Sequence, residues 1–204
     1  RRQRQLFIID RVQEASQEMG LSVVCAKRKN SNDSTEEIPS YVLVPKDNAA
    51  FDQALAGGTA QVGGATVWGW ARDQAVDMID TLVVDEAGQL SLADAVAASR
   101  SARNLVLLGD PQQLDQPTQG SHPEGAELSV LDHLIAGRET IPDDRGLFLD
   151  ETWRLHPEIC AFRSEIYYEG KLESRPDCEQ QRIAGPTRLA GGPEGREGAG
   201  LWLA

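Results

Sequence analysis

The sequence predicts an α/β fold built on a parallel sheet. Three observations predict it. Short apolar runs at residues 21–26, 41–44, 81–84 and 104–108 have the length of strands. Segments with apolar residues at helical spacing separate them, and that alternation makes a parallel sheet covered by helices, with right-handed crossovers. Two of the runs, 81–84 and 104–108, read as buried strands that each deliver a polar loop at the carboxyl end, where open α/β sheets bind their ligands.

Residues 4–19 place Leu6, Ile9, Val12 and Met19 near helical spacing, and Gly20 supplies a stop. The run at 21–26 suits a buried parallel strand, and residues 27–40 are polar and turn-rich, hence a surface loop. Residues 41–44 form the next strand. Asp47 caps a helix through Leu55, which Gly57 and Gly58 end; residues 61–70 then read as a β-prone segment with Trp68 and Trp70 on opposite faces of one strand. Ser91 caps an alanine-rich helix up to Ala102, ahead of the strand at 104–108. Residues 116–125 are an exposed Pro/Gly-rich loop, residues 127–135 a helix and residues 147–149 a short strand, with a domain junction just before it. His156 and Pro157 start a further helix, with proline in its first turn. From Cys178 onward glycine, proline and arginine dominate, and residues 185–200 are expected to be of low order. Internal repeats are not evident.

Hydrophobic residues make up 40% of the 204, enough for a packed core. The 32 acidic and 20 basic residues leave a formal charge of -12, which excludes a generally basic nucleic-acid coat and permits only a local basic groove. Basic residues gather at Arg1, Arg2 and Arg4 and at Lys27, Arg28 and Lys29; short runs of this kind read as solvated faces. Cys25, Cys160 and Cys178 are odd in number and widely spaced, so neither a disulfide framework nor a zinc site is indicated, and a reducing cytoplasmic setting is expected. No stretch is long and apolar enough to span a membrane. The chain opens without an initiator methionine and ends on the strand-like residues 200–204, which reads as a piece of a longer polypeptide.

The chemistry concentrates at three places. An apolar strand ending in Asp85 and Glu86 suits nucleotide hydrolysis: the first carboxylate holds Mg²⁺ through its water shell, and the second polarises the attacking water. The alternative is two acids that end a strand and cap the next helix through its dipole. After the second run, Gly109-Asp110-Pro111-Gln112-Gln113 offers a side-chain amide at Gln113 able to bond both a phosphate oxygen and a water, with Asp110 orienting the loop or contacting the metal shell. Its alternative is a tight turn. Arg154, at the start of an expected helix, can neutralise charge building on a transferring phosphoryl group, or else form a surface ion pair with Glu151 or Glu158. Trp153 beside it either stacks on adenine or fills the core.

Together Asp85-Glu86-Ala87-Gly88-Gln89, Gly109-Asp110-Pro111-Gln112-Gln113-Leu114 and Glu151-Thr152-Trp153-Arg154-Leu155-His156-Pro157 resemble motifs II, III and IV of superfamily 1 helicases. The acidic motif and the stretch from Glu151 through Phe162, with Tyr168-Glu169-Gly170-Lys171-Leu172 after it, are similar to the superfamily 1B branch of nonsense-decay and RecD-like helicases. The loop at 116–125 resembles that of bacterial members carrying a RecB-like nuclease domain. One departure is Trp153, where the family usually has tyrosine; stacking survives and the hydroxyl does not.

The resemblance implies a RecA-like P-loop NTPase domain over residues 1–145, lacking its phosphate loop, and the start of a second RecA-like domain over residues 146–204. It implies ATP and Mg²⁺ as ligands, held by Asp85, Glu86, Asp110, Gln113, Trp153 and Arg154, with Glu86, Gln113 and Arg154 catalytic. It also implies single-stranded DNA, or alternatively RNA, as the track of a 5′-to-3′ motor gripped mainly at its phosphates. No G-x-x-x-x-G-K-[ST] occurs in these residues, so the 204-residue chain by itself is expected to bind ATP poorly and hydrolyse it hardly at all. A motor retained only as a nucleic-acid-binding or interaction module is the alternative function.

Overall fold

A computed structural model describes residues 2–28, 39–113 and 128–181, with side chains from residue 8 onward. The loop expected at 116–125, the residues at 185–200 and the strand-like 200–204 lie outside the described residues, as do Lys29 and the side chains of the first arginines. The chain divides into two compact units, residues 1–110 with 115–130, and residues 111–114 with 131–204.

The first unit opens with helix α1 (Arg2–Glu18). Its end follows the sequence: Gly20 takes a left-handed φ of 70°, and the Leu21 N–H turns back to the Ser16 carbonyl at 2.8 Å. Ile9 and Val12 pack against strand β1 (Cys25–Lys27), while Met19 falls past the helix end and is exposed. β1 is flanked by β2 (Val42–Leu43) and β3 (Val62–Gly64) in a wholly parallel sheet of order β2-β1-β3, with Cys25 opposite both Val42 and Val62. The charged run at residue 27 is not a solvated face. Lys27 belongs to the strand and is buried, and the Arg28 guanidinium packs against Asn48 and under Gly69. Parallel pairing to Gly64 draws both side chains into the sheet's end, and burial lowers the Arg28 pKa.

Helix α2 (Asn48–Ala56) starts where its cap predicts: the Asp47 carboxylate accepts the Ala50 N–H at 2.8 Å. Residues 67–70 are not strand but the one-turn helix α3 (Val67–Trp70). Trp70 is buried against Phe51, edge to face at 5.8 Å, and Trp68 points to solvent, so the two faces differ through helical rather than strand geometry. Phe51, Trp70, Ala26, Ala60, Leu82 and Ala98 form the main core. Arg72 and Asp52 make a two-pronged, largely buried ion pair beside it, at 2.7 and 3.0 Å.

Strands β4 (Ile79–Val84) and β5 (Ala102–Leu107) pair in parallel, with Val84 opposite Leu107. Between them runs helix α4 (Leu92–Ser99), capped by the Ser91 hydroxyl accepting the Asp94 N–H at 3.1 Å. The helix stops short of Ala102, because Ser101 folds both its N–H and its hydroxyl onto the Ala98 carbonyl and Ala102 is committed to pairing with Ile79. The expectation of buried strands fails here. Only Leu82 of β4 is buried, and Val83, Leu105 and Val106 are exposed, because among the described residues these two strands pair only with each other.

The second unit contains most of helix α5 (Val130–Ile135), and a parallel pair of short strands, β6 (Glu151–Thr152) and β7 (Glu173–Ser174), joined through helix α6 (Pro157–Tyr167). His156 caps α6 through Nδ1 and Pro157 occupies its first turn, as the sequence indicates. The strand expected at 147–149 does not form: Leu147 and Leu149 are largely exposed, and the backbone ladder begins later, with the Glu173 N–H donating to the Asp150 carbonyl at 2.6 Å. Cys160 and Ser164 face inward from α6, where the Ser164 hydroxyl accepts the Leu172 N–H at 2.9 Å.

Candidate nucleotide site

Two loops leave the carboxyl edge of the β4–β5 pair, and backbone hydrogen bonds lock them together. The Leu108 N–H donates to the Val84 carbonyl and the Ala87 N–H to the Leu108 carbonyl, both at 2.8 Å. Asp85 and Glu86 therefore emerge beside Gly109 and Asp110. Asp85 is exposed; its Oδ1 accepts the Glu86 N–H at 3.0 Å, while Oδ2 has no bond among the described residues. Glu86 adopts φ 58°, ψ 43°, a left-handed conformation that L-residues with a side chain rarely take. Strained backbone of this kind clusters at functional sites. The 3₁₀ turn Ala87–Gln89 follows, closed by the Gln89 N–H on the Glu86 carbonyl at 2.9 Å. The bend separates the acid pair from α4, which Ser91 caps instead, so capping by the two carboxylates is not what the structure shows.

The donor set fits a hydrated magnesium ion. Among the described residues there is no cluster of three metal-ligating side chains, and Mg²⁺ keeps most of its waters and asks for one or two carboxylates. Asp85 presents one such carboxylate at a strand end.

The remaining expected residues belong to the second unit. Gln113 is exposed at the end of a turn, and its neighbour Gln112 donates to the Glu139 carbonyl at 3.3 Å. Arg154 lies in the turn between β6 and α6, ahead of the helix; its N–H donates to the Thr152 hydroxyl at 3.3 Å and its side chain is exposed. The ion pair weighed for Arg154 is absent among the described residues, since Glu151 pairs with Arg175 instead, at 3.7 Å. Trp153 does not fill a core. It is 69% exposed, with the Arg175 guanidinium 3.6 Å from its ring centre. Arg175 is the residue that sequence reasoning missed: nothing in its surroundings signals a role, and only the β6–β7 pairing brings it to Trp153.

A profile of the AAA domain matches residues 14–121. The mouse 5'-3' DNA helicase ZGRF1 is 31% identical over 96 residues, 45% of this chain and 5% of that protein. The probable helicase MAGATAMA 3 of Arabidopsis thaliana is 30% identical over 105 residues, covering 50% and 12%. The chicken DNA replication ATP-dependent helicase/nuclease DNA2 is 29% identical over 108 residues, covering 53% and 10%. The chain thus spans only a small part of each relative's length. With more than half of its residues matched, the chain belongs to the AAA domain family, with the parallel-sheet α/β fold of a RecA-like P-loop NTPase and with helicases among its relatives.

Proposed function

We propose that the polypeptide carrying this chain is an ATP-dependent helicase of superfamily 1, using ATP hydrolysis to move 5′ to 3′ along single-stranded DNA. The observation that carries the reading is the β4–β5 carboxyl edge, where Asp85 and a conformationally strained Glu86 stand beside the Asp110 loop. Asp85 holds Mg²⁺, which when bound neutralises phosphate charge. Glu86 orients and deprotonates the attacking water, and its carboxylate is not used to cap the 3₁₀ turn that follows. Asp110 steadies the loop that leads to Gln113, whose amide senses the γ-phosphate. Residues 146 onward open a second RecA-like domain, from which Trp153 stacks on adenine and Arg154 meets the γ-phosphate as charge develops.

The 5′-to-3′ direction and the DNA track are supported by the mouse relative's description; a fused RecB-like nuclease domain in the parent chain draws support from the helicase/nuclease relative and from the resemblance of the 116–125 loop to that of bacterial helicases carrying one. Among the described residues no helix is long and apolar enough to cross a membrane. A cytoplasmic setting accords with three free, buried thiols. The test is unwinding by the full-length polypeptide of duplexes with a 5′ or a 3′ single-stranded tail, in DNA and in RNA. Unwinding confined to the 5′-tailed DNA duplex is expected. Preference for the 3′ tail overturns the polarity, preference for RNA overturns the track, and strand binding without ATP-dependent unwinding supports the interaction-module alternative.

A further inference from the structure

We infer that Arg175 is a positioning residue for the nucleotide base: it clamps one face of Trp153 and leaves the other as a single stacking platform. The inference rests on the reading of Trp153 as the adenine-stacking residue. The guanidinium lies 3.6 Å from the Trp153 ring centre, close enough for a planar cation to cover that face. With the guanidinium on one face, a residue that is still 69% exposed keeps ring surface open to a ligand.

Arg175 is itself held from several directions. Glu151 and Asp177 flank its terminal nitrogens at 3.7 and 3.6 Å, its N–H donates to the Thr152 carbonyl at 3.1 Å, and its side chain is 29% exposed. Gln181 adds a bond from its Nε2 to the Trp153 carbonyl at 3.4 Å. The tryptophan is thus held at its backbone next to the Thr152–Ser174 pairing and flanked at its ring by a guanidinium that two carboxylates approach and whose buried Nε has no hydrogen-bond partner among the described residues. A large aromatic surface held in place before the ligand arrives loses little side-chain freedom on binding, and stacking on it is tolerant of base identity while favouring the larger purines. Trp153 at the position usually held by tyrosine enlarges that surface.

The test is steady-state turnover of MgATP and MgUTP by the full-length polypeptide with Arg175→Ala, Arg175→Lys and Trp153→Ala. Arg175→Ala is expected to raise KM for ATP about fivefold with kcat within about twofold, and to raise KM for UTP distinctly less, because the loss falls on base stacking, which is stronger for the purine, and not on phosphate contacts. Arg175→Lys preserves the charge and the ion pairs but not the planar fork, and is expected to behave like Arg175→Ala; it also serves if the alanine variant folds poorly. Wild-type KM in Arg175→Lys overturns the proposal, since charge alone would then suffice. An equal rise for both nucleotides overturns it as well. If Trp153→Ala raises KM for ATP while both Arg175 variants match wild type, the stacking reading stands and the clamp falls. If Trp153→Ala leaves KM unchanged, the stacking reading itself fails and takes the clamp with it.

Discussion

Glu86 occupies a backbone conformation that costs an L-residue about 1–2 kcal/mol, yet its place in the chain is fixed by hydrogen bonds on both sides. The consequence is a measurable conflict between stability and activity. Replacing Glu86 by glycine is expected to give a protein about 1 kcal/mol more stable than Glu86→Ala in denaturant unfolding, because only glycine accepts φ near 58° without strain, while both variants lose turnover. Equal stability would mean that the bend is not strained. The acid pair was legible in the sequence because its two members are adjacent and end an apolar run. The left-handed turn was not, since neither glycine nor asparagine marks it. Arg154 shows the same division: its type and place near a helix start could be read, but the competition between Arg154 and Arg175 for Glu151 is settled by the β6–β7 register.

At the scale of elements, local chemistry is what the sequence conveyed best. The caps at Asp47 and Ser91, the helix start at His156 and Pro157 and the stop at Gly20 depend on contacts within a few residues, and all four form. Asp47→Ala is expected to cost about 1 kcal/mol in thermal or denaturant unfolding, the usual value of a lost N-cap. Elements defined by distant partners were read less well. Residues 147–149 are apolar enough for a strand, but pairing with β7 selects Glu151 and Thr152, and residues 67–70 close a helical turn that places Trp70 on Phe51. That contact sits in the main core, so Phe51→Ala should destabilise the protein by about 3–5 kcal/mol, whereas an exposed aromatic such as Trp68 should cost little on truncation. Three buried thiols offer a further check. Burial raises the pKa of Cys25 and Cys160, so their protonated form favours the fold. This contribution is complete below the unfolded thiol pKa of about 8.5 and is lost as pH rises past it through the folded values. Alkylation by iodoacetamide at neutral pH should therefore be slow in the native protein and rapid after denaturation; fast native labelling would contradict the burial.

For the molecule as a whole, the acidic balance of -12 gives no hint of a nucleic-acid partner, and the motifs carry that argument instead. The parallel α/β fold followed from the alternation of short apolar runs with helical segments, because that pattern is set by periodicity along the whole chain. The exposure of β4 and β5 was not legible: an apolar run announces a strand, but only its neighbours decide whether it is covered. In the proposed motor Glu86 activates water for ATP hydrolysis driven by nucleic acid. ATP turnover by the full-length polypeptide, with and without single-stranded DNA, compared between wild type and Glu86→Gln, tests it most directly. Strong stimulation by the strand is expected, with a loss of at least about 100-fold in kcat on substitution, the scale of a missing general base. A wild type that binds DNA but turns over no ATP, or a Glu86→Gln variant that keeps its DNA-stimulated turnover, would contradict it.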